Sequence, residues 1–214
     1  MSYINPLQIG ILACPASRAF AARIVEHLKK SSQQEFHSRI AALAQKHSLD
    51  KQEIIASANL YKNLLEPMAD LSGPPDQFHT GSCEIEAIFS RFANGEFKTE
   101  IMNSVRGMDV FIIQDVSNHY PVAVNDGKEE LILSINDHLF CLIATVDAAL
   151  QAGARRVTCV LPTYPYARQH KKRTREGLTA ARVGQILENM GVERIITLDI
   201  HSREIENTFN VSVH

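Results

Sequence analysis

The sequence predicts an α/β fold in which parallel strands alternate with helices, and two observations carry this prediction. The first is a set of short apolar runs, typical of buried strands, at residues 7–14, 109–114, 156–161 and 194–200. The second is a set of segments with apolar residues at helical spacing, at residues 20–28, 139–150 and 178–190. Gly153 and Gly191 mark the ends of the last two segments. Such alternation implies βαβ units with right-handed crossovers.

The first strand and the segment after it open the domain. The apolar run ends at Pro15, and Ser17 can serve as the N-cap of a helix that reaches Leu28. Helical spacing then recurs with few strand formers until a breaker of Ser, Gly and Pro at residues 72–75. We interpret residues 32–80, approximately, as a helical insertion on one side of the α/β core.

A β-hairpin is predicted beside the parallel strands. Residues 85–92 and 97–102 have the composition of strands, and Asn94 and Gly95 between them are a hairpin turn signal. Residues 117–127 are polar and rich in Asn, Pro and Gly, and we predict a loop there.

Composition narrows the class of protein. The chain has 214 residues, of which 45% are hydrophobic and 21% charged, and its net charge is -2. This balance gives no overall attraction to nucleic acid or to anionic membranes. The four cysteines are scattered and are predicted to be reduced, buried thiols rather than disulfides or metal ligands. Without a spanning apolar segment or a signal peptide, we expect a soluble, cytoplasmic protein.

A basic segment follows the predicted strand at 156–161. Residues 168–175 carry five positive charges directly before a predicted helix. Basic side chains together with free N–H groups of a helix N-terminus suit a polyphosphate. A solvated surface loop is an equally good interpretation of the charge alone. An RNA-binding patch is less favoured, because the chain is acidic overall and has no recognisable nucleic-acid module.

Asp199 and His201 follow the predicted strand at 194–200. Their spacing of two places both side chains on one face at the end of the strand, where ligands of open parallel sheets collect. They can orient a divalent ion beside phosphates, with the imidazole acting through water, because Mg²⁺ prefers oxygen ligands. A hydrogen-bonded pair that begins the next helix is the alternative. No GxxxxGK[ST] loop and no GxGxxG fingerprint occurs in the chain.

Five short segments follow one another along the chain: FANGE at 92–96, SVRGMDV at 104–110, INDHL at 135–139, PTYPYARQ at 162–169 and DIH at 199–201. In this order they resemble motifs of the ribose-phosphate diphosphokinases, also called phosphoribosyl pyrophosphate synthetases. The resemblance implies a parallel-sheet, phosphoribosyltransferase-like (βαβ) domain. It excludes residues 32–80.

The resemblance also implies the nucleotide contacts. Phe92 is expected to stack on adenine, while Asn94 and Glu96 hydrogen-bond to the edge of the base. Arg168 and Gln169 are expected to contact ATP, the arginine at phosphate oxygens.

The metal, the reaction and the assembly follow from the same resemblance. Asp199 and His201 are expected at the Mg²⁺ of Mg-ATP. The family transfers the β,γ-diphosphoryl group of ATP to the 1-hydroxyl of ribose 5-phosphate, forming phosphoribosyl diphosphate for nucleotide biosynthesis. The implied assembly is a homo-oligomer built from dimers, without nucleic acid or membrane as a partner.

The resemblance covers only the first half of such an enzyme. We expect residues 1–214 to form the N-terminal ATP-binding domain, because the catalytic lysine-arginine loop and the DDxxxTGGT loop of the second half have no counterpart here. No Asp-Asp pair and no Thr-Gly-Gly occurs in the chain. The catalytic residues are therefore expected elsewhere, and the chain alone is expected to be inactive, whether it is a fragment or a free-standing half.

Two other functions share this fold. The first is a non-catalytic, nucleotide-sensing subunit, indicated by four departures from the family pattern at His170, Arg173, Asn210 and His214. The second is a type I phosphoribosyltransferase, against which the missing acidic phosphoribosyl loop argues.

Overall fold

The fold was obtained as a computed structural model, which describes residues 9–48, 50–55, 83–171, 174–199 and 212–213. The chain divides into two compact units, residues 1–21 with 84–214, and residues 22–83. In chain order the strands are β1 (Ile9–Ala13), β2 (Glu84–Ile85), β3 (Ala87–Arg91), β4 (Phe97–Ile101), β5 (Asp109–Ile113), β6 (Val122–Val124), β7 (Glu129–Leu131), β8 (Arg156–Thr163), β9 (Arg194–Asp199) and β10 (Ser212–Val213). The main helices are α1 (Arg18–His47), α2 (Ile135–Gln151) and α3 (Thr179–Met190).

The first unit is built on a parallel sheet with the strand order β10-β9-β8-β5-β1-β2. Strands β1, β5 and β8 are the apolar runs of the sequence. Consecutive residues of these strands, which point to opposite faces of the sheet, are buried, as expected for parallel strands. Leu12, Ile112 and Cys159 lie side by side across these strands and are fully buried. The predicted α/β class and the parallel sheet are confirmed.

The predicted strand at 85–92 is two strands. β2 pairs with β1 in the parallel sheet, whereas β3 pairs with β4 in a separate antiparallel hairpin. The break falls at Glu86. Its N–H donates to the side-chain oxygen of Asn103 (2.6 Å), and its carbonyl accepts from the N–H of Met102 (2.9 Å). These local partners let the chain leave one sheet and enter the other. The flanking hairpin itself is confirmed.

Helix α1 is longer than the sequence pattern suggested. We predicted a helix ending near Leu28 and a separate one in the insertion, but one helix runs from Arg18 to His47. No Gly or Pro interrupts residues 18–47, so nothing ends it earlier. Helix recurs at 51–55, while residues 56–82 of the predicted insertion lie outside the described residues. Ser17 was predicted as the N-cap of this helix, and its hydroxyl accepts a hydrogen bond from the N–H of Asp115 (2.6 Å).

The predicted loop at 117–127 contains half of a second hairpin, β6–β7. Its turn places Asn125, Asp126 and Gly127 in the left-handed region, with φ of 52°, 58° and 75°. Asn, Asp and Gly are the residues that adopt this conformation at least cost. The hairpin has its own small apolar cluster around Val122 and Val124.

Cys14, Cys141 and Cys159 are fully buried, and all four cysteines are free thiols, whereas Cys83 is partly exposed. The prediction of reduced core thiols is confirmed for the first three. Burial raises the pKa of the Cys159 thiol, which keeps it protonated and unreactive. Among the described helices, none combines the length and the apolar character needed to cross a membrane.

Candidate functional site

The β3–β4 hairpin presents an exposed aromatic ring. Phe92 is 49% exposed, an unusual state for a large apolar side chain. The turn is closed by the N–H of Phe92 on the carbonyl of Glu96 (2.9 Å) and the N–H of Gly95 on the carbonyl of Phe92 (2.9 Å). The Asn94 side-chain oxygen accepts the N–H of Glu96 (3.2 Å). Asn94 and Glu96 are exposed beside the ring.

The turn that follows β8 carries the two residues predicted to contact phosphates. Arg168 and Gln169 are both exposed at its end. Tyr166 has a φ of 57°, and its carbonyl accepts the N–H of Gln169 (2.8 Å). His170 closes the turn by donating from Nδ1 to the carbonyl of Ala167 (3.0 Å). Lys172 and Arg173 of the basic segment lie outside the described residues.

Tyr164 anchors this turn to the next helix. Its side chain is only 1% exposed, and its hydroxyl donates to the carbonyl of Ala180 in the first turn of α3 (2.9 Å). Burial raises the pKa of Tyr164, so the phenol stays protonated and remains a donor. The N-cap residue of α3, Leu178, supplies no side-chain acceptor to the N–H groups of that turn. The N–H groups of the first turn of α3 therefore have no side-chain cap from its N-cap residue.

The first turn of α2 joins the hairpin to the β8 turn. Arg91, the residue before Phe92, donates from Nη2 to Oδ1 of Asp137 (3.3 Å). The hydroxyl of Tyr166 donates to Oδ1 of Asn136. Because Asn136 and Asp137 are neighbours, Arg91 and Tyr166, which lie one and two residues from Phe92 and Arg168, are bonded to one short segment. Thus two regions more than 70 residues apart in sequence converge at one helix end.

Asp199 lies beside the β8 turn. It ends β9, pairs with Thr163 at the end of β8, and accepts the N–H of Tyr164 at its carbonyl (3.4 Å). Its side chain is exposed at this carboxyl edge of the sheet. Asp199 thus lies next to the start of the β8 turn, the end of which carries Arg168 and Gln169. His201, the second predicted metal residue, lies outside the described residues.

The exposed carboxylate of Asp199 is compatible with the way proteins bind Mg²⁺. Within the described part of the chain, no group of three His, Cys, Asp or Glu side chains forms a metal cage. Mg²⁺ needs no such cage, because it commonly binds one or two carboxylates and takes its other ligands from water and substrate phosphates. A single exposed carboxylate at the sheet edge fits that coordination.

A buried network supports the start of α2. His138, 1% exposed, accepts a hydrogen bond at Nδ1 from Nε2 of Gln114 (3.2 Å) and donates from Nε2 to the carbonyl of Asn118 (3.0 Å). Nε2 of Gln114 also donates to the His138 carbonyl (2.9 Å). Burial lowers the pKa of His138, and the hydrogen bond to Asn118 only partly offsets it. The imidazole is therefore neutral, and its hydrogen bonds connect the start of α2 to Gln114, which follows β5, and to the loop at Asn118.

Sequence reasoning missed the residues that assemble the site. Arg91, Asn136 and Tyr166 were not singled out, because pairings across this sequence distance leave no local pattern. One signal was readable: Ser134 and Asp137 have the spacing of a capping box, and they form one at the start of α2.

The chain is similar to proteins of one known family. Residues 9–191 match the family described as the N-terminal domain of ribose phosphate pyrophosphokinase. The chain is 35% identical over 156 residues to a ribose-phosphate pyrophosphokinase of Bacillus caldolyticus, covering 72% of this chain and 42% of that protein. It is 36% identical over 160 residues to one of Corynebacterium ammoniagenes, covering 74% and 43%.

A solved structure is similar as well. Phosphoribosylpyrophosphate synthetase from Mycobacterium smegmatis matches with a TM-score of 0.52 and 34% identity, covering 61% of this chain and 39% of that one. The chain spans less than half the length of the relatives it matches. With the match extending over residues 9–191, this chain belongs to the ribose-phosphate pyrophosphokinase (diphosphokinase) family and corresponds to its N-terminal domain.

Proposed function

We propose that this chain binds Mg-ATP and supplies the nucleotide half of a ribose-phosphate diphosphokinase. The observation that carries the proposal is the convergence at the first turn of α2. There the Arg91–Asp137 pair holds the hairpin with its exposed aromatic ring, and the Tyr166–Asn136 bond holds the turn with its exposed guanidinium. A ligand with an aromatic base at one end and phosphates at the other matches this pair of features.

The hairpin is the proposed base end. Stacking of a base on an aromatic side chain contributes about 1–3 kcal/mol and needs an accessible ring face, which the 49% exposure of Phe92 provides. Asn94 and Glu96 offer an amide and a carboxylate beside the ring. Adenine has both a donor, its exocyclic amine, and acceptor ring nitrogens, so these two side chains can read its edge.

The β8 turn is the proposed phosphate end. Arg168 presents a guanidinium, which binds phosphate oxygens through charge-assisted hydrogen bonds. Gln169 adds an amide, and the N-terminus of α3, which has no side-chain cap from Leu178, adds partial positive charge. Asp199 is the proposed protein ligand of Mg²⁺, together with His201 through water. The ion, when bound, neutralises phosphate charge.

The proposed reaction is a diphosphoryl transfer. The 1-hydroxyl oxygen of ribose 5-phosphate attacks the β-phosphorus of ATP and loses its proton, the bond from the β-phosphorus to the α,β-bridging oxygen breaks, and AMP leaves. Catalysis of such in-line transfers rests on positioning and charge neutralisation. This chain's share is to hold the base, so that the phosphate chain is fixed, and to place Arg168 at its oxygens.

The sugar-phosphate side is proposed to come from residues outside these 214. We infer that the isolated chain binds Mg-ATP without forming phosphoribosyl diphosphate. We also propose a cytoplasmic homo-oligomer built from dimers, with ATP and ribose 5-phosphate as the small-molecule partners and with neither nucleic acid nor membrane.

A non-catalytic, nucleotide-sensing subunit is the second candidate. The observation favouring it is His170, which stands where the family commonly has an aspartate and whose Nδ1 is used to close the turn on Ala167. Joining the chain to the second half of a family enzyme separates the two. Phosphoribosyl diphosphate formation favours the enzyme, and nucleotide binding without turnover favours the sensor.

The binding site is tested by calorimetry of the chain with Mg-ATP and two variants. Arg168→Ala removes the proposed phosphate contact and should weaken binding about tenfold or more, the magnitude of a charge-assisted hydrogen bond. Arg194→Ala is the matched control, because Arg194 is exposed at the opposite, amino end of β9. Equal affinities of both variants and the wild type would reject the assignment of Arg168.

A further inference from the structure

The turn of the β6–β7 hairpin is bonded to the backbone just before Phe92. Oδ1 of Asn125 accepts the N–H of Arg91 (2.8 Å), and its Nδ2 donates to the carbonyl of Arg91 (3.2 Å). The backbone N–H of Asn125 donates to the carbonyl of Phe89 (2.8 Å). One asparagine therefore serves three backbone groups along one edge of β3.

Among the described strands β3 pairs only with β4, so this edge has no strand partner there. Arg91 pairs with Phe97 across the hairpin in the β3–β4 ladder, and its own N–H and carbonyl point away from β4 toward Asn125. A carboxamide carries the same donor and acceptor as a peptide group, so Asn125 completes the edge as a neighbouring strand would. Its φ of 52° aims the side chain there, and a further bond from Nδ2 to Glu129 (3.0 Å) holds the amide.

The consequence falls on the next residue, Phe92. The backbone of Arg91 is fixed by Asn125, and the Arg91 side chain is fixed by Asp137. The backbone position from which the exposed Phe92 ring leaves the hairpin is thus held before any ligand arrives. Pre-organisation of this kind raises affinity by reducing the ordering that binding requires.

We propose that Asn125 is a positioning residue for the base contact of Phe92. The inference rests on the proposed nucleotide site and deepens it. Asn125 acts through Arg91 and touches no ligand itself. Its loss therefore weakens the contact with the base and leaves the contact with the phosphates intact.

The test uses the 214-residue chain and two ligands, Mg-ATP and Mg-tripolyphosphate, which has the phosphates but no base. Asn125→Gly removes the carboxamide and tolerates positive φ. Asp126→Gly is the matched control, since Asp126 is exposed in the same turn with a similar φ. Asn125→Gly should lower the affinity for Mg-ATP about three- to tenfold, the magnitude of one or two lost hydrogen bonds. The affinity for tripolyphosphate should be unchanged. Asp126→Gly should change neither affinity.

A double-mutant cycle with Phe92→Ala identifies the route of the effect. If Asn125 acts through the ring, Asn125→Gly has no further effect on Mg-ATP affinity once the ring is gone.

Three results would overturn the positioning role: equal loss of Mg-ATP and tripolyphosphate affinity, no loss of Mg-ATP affinity, or effects of Asn125→Gly and Phe92→Ala that multiply. Each of these results can be observed only if the wild-type chain binds Mg-ATP. None of them therefore argues against the proposed function. A wild-type chain that binds neither ligand refutes the proposed function, and the positioning role falls with it.

Discussion

Replacement of Asp137 by alanine removes the residue that joins the hairpin to α2. Oδ2 of Asp137 accepts hydrogen bonds from the backbone N–H (2.9 Å) and the hydroxyl (2.7 Å) of Ser134, and its Oδ1 accepts from Arg91 (3.3 Å). The substitution therefore breaks the reciprocal cap of the helix and the ion pair at once. We expect it to lower both the free energy of unfolding and the affinity for Mg-ATP.

The size of the stability loss follows from these contacts. Loss of a helix cap costs about 0.5–2 kcal/mol, and loss of a carboxylate near a helix N-terminus about 0.3–1 kcal/mol. The ion pair, with side chains 28% and 20% exposed, adds at most about 1 kcal/mol. Because the same carboxylate makes all three contributions, they do not add fully, and we expect about 2 kcal/mol.

The ionisation of Asp137 gives the prediction a pH signature. Burial acts to raise its pKa, but hydrogen bonds from Ser134 and the charge of Arg91 outweigh burial, and the pKa lies below the ordinary value. A lowered folded-state pKa stabilises the protein above the unfolded-state pKa of about 3.9, and this contribution disappears as pH falls through the folded-state value. The difference in the free energy of unfolding between wild type and Asp137→Ala should therefore become smaller as the pH falls through the folded-state pKa.

Urea unfolding at pH 7, monitored by circular dichroism, measures the loss. Ser134→Ala is the companion variant, because it removes the hydroxyl of the cap and keeps the Arg91 pair, so we expect about half the loss. A change below about 0.5 kcal/mol for Asp137→Ala, within the range of ordinary surface substitutions, would refute the reasoning. Unchanged Mg-ATP affinity would show that the first turn of α2 does not hold the ligand site together.

Two further predictions concern buried side chains. Because the pKa of His138 is lowered by burial, the unfolded chain takes up a proton that the folded chain does not, so stability should decline as pH falls below about 6.5, by up to about 1.4 kcal/mol per pH unit. In His138→Gln, unfolding measured between pH 7 and 5.5 should show a smaller decline than the wild type, and parallel profiles would contradict the assignment. Tyr164→Phe deletes the donor to the Ala180 carbonyl and should cost about 1 kcal/mol, seen as a melting temperature lower by about 2–4 °C; an unchanged temperature would indicate that the bond contributes nothing.

The sequence was sufficient for four strands of the parallel sheet. The apolar runs that became β1, β5, β8 and β9 are long enough and regular enough to be recognised without tertiary information. Gly153 and Gly191, both with positive φ, mark the helix ends where they were expected. The exposed positions of Phe92 and Arg168 agree with a role in binding, which remains a proposal.

What the sequence could not supply is the way distant segments meet. The split at Glu86 depends on Asn103, whose side chain competes for a backbone N–H that an uninterrupted strand would use. The bond between Tyr166 and Asn136 joins residues 30 apart and has no local signature. The β6–β7 hairpin was missed, although Asn125, Asp126 and Gly127 between two short strands are a hairpin turn signal. The polar composition of residues 117–127 hides this turn signal, because loops and hairpin turns share the same residue types.

The central claim is that one ligand is bound at its base by the hairpin and at its phosphates by the β8 turn. Calorimetric titration of wild type, Phe92→Ala and Arg168→Ala with Mg-ATP and with Mg-tripolyphosphate tests it most directly. The account predicts that Phe92→Ala lowers the affinity for Mg-ATP about tenfold and leaves the affinity for tripolyphosphate unchanged. Arg168→Ala is predicted to lower both affinities. Loss of tripolyphosphate binding in Phe92→Ala, or wild-type affinity for Mg-ATP in both variants, would contradict it.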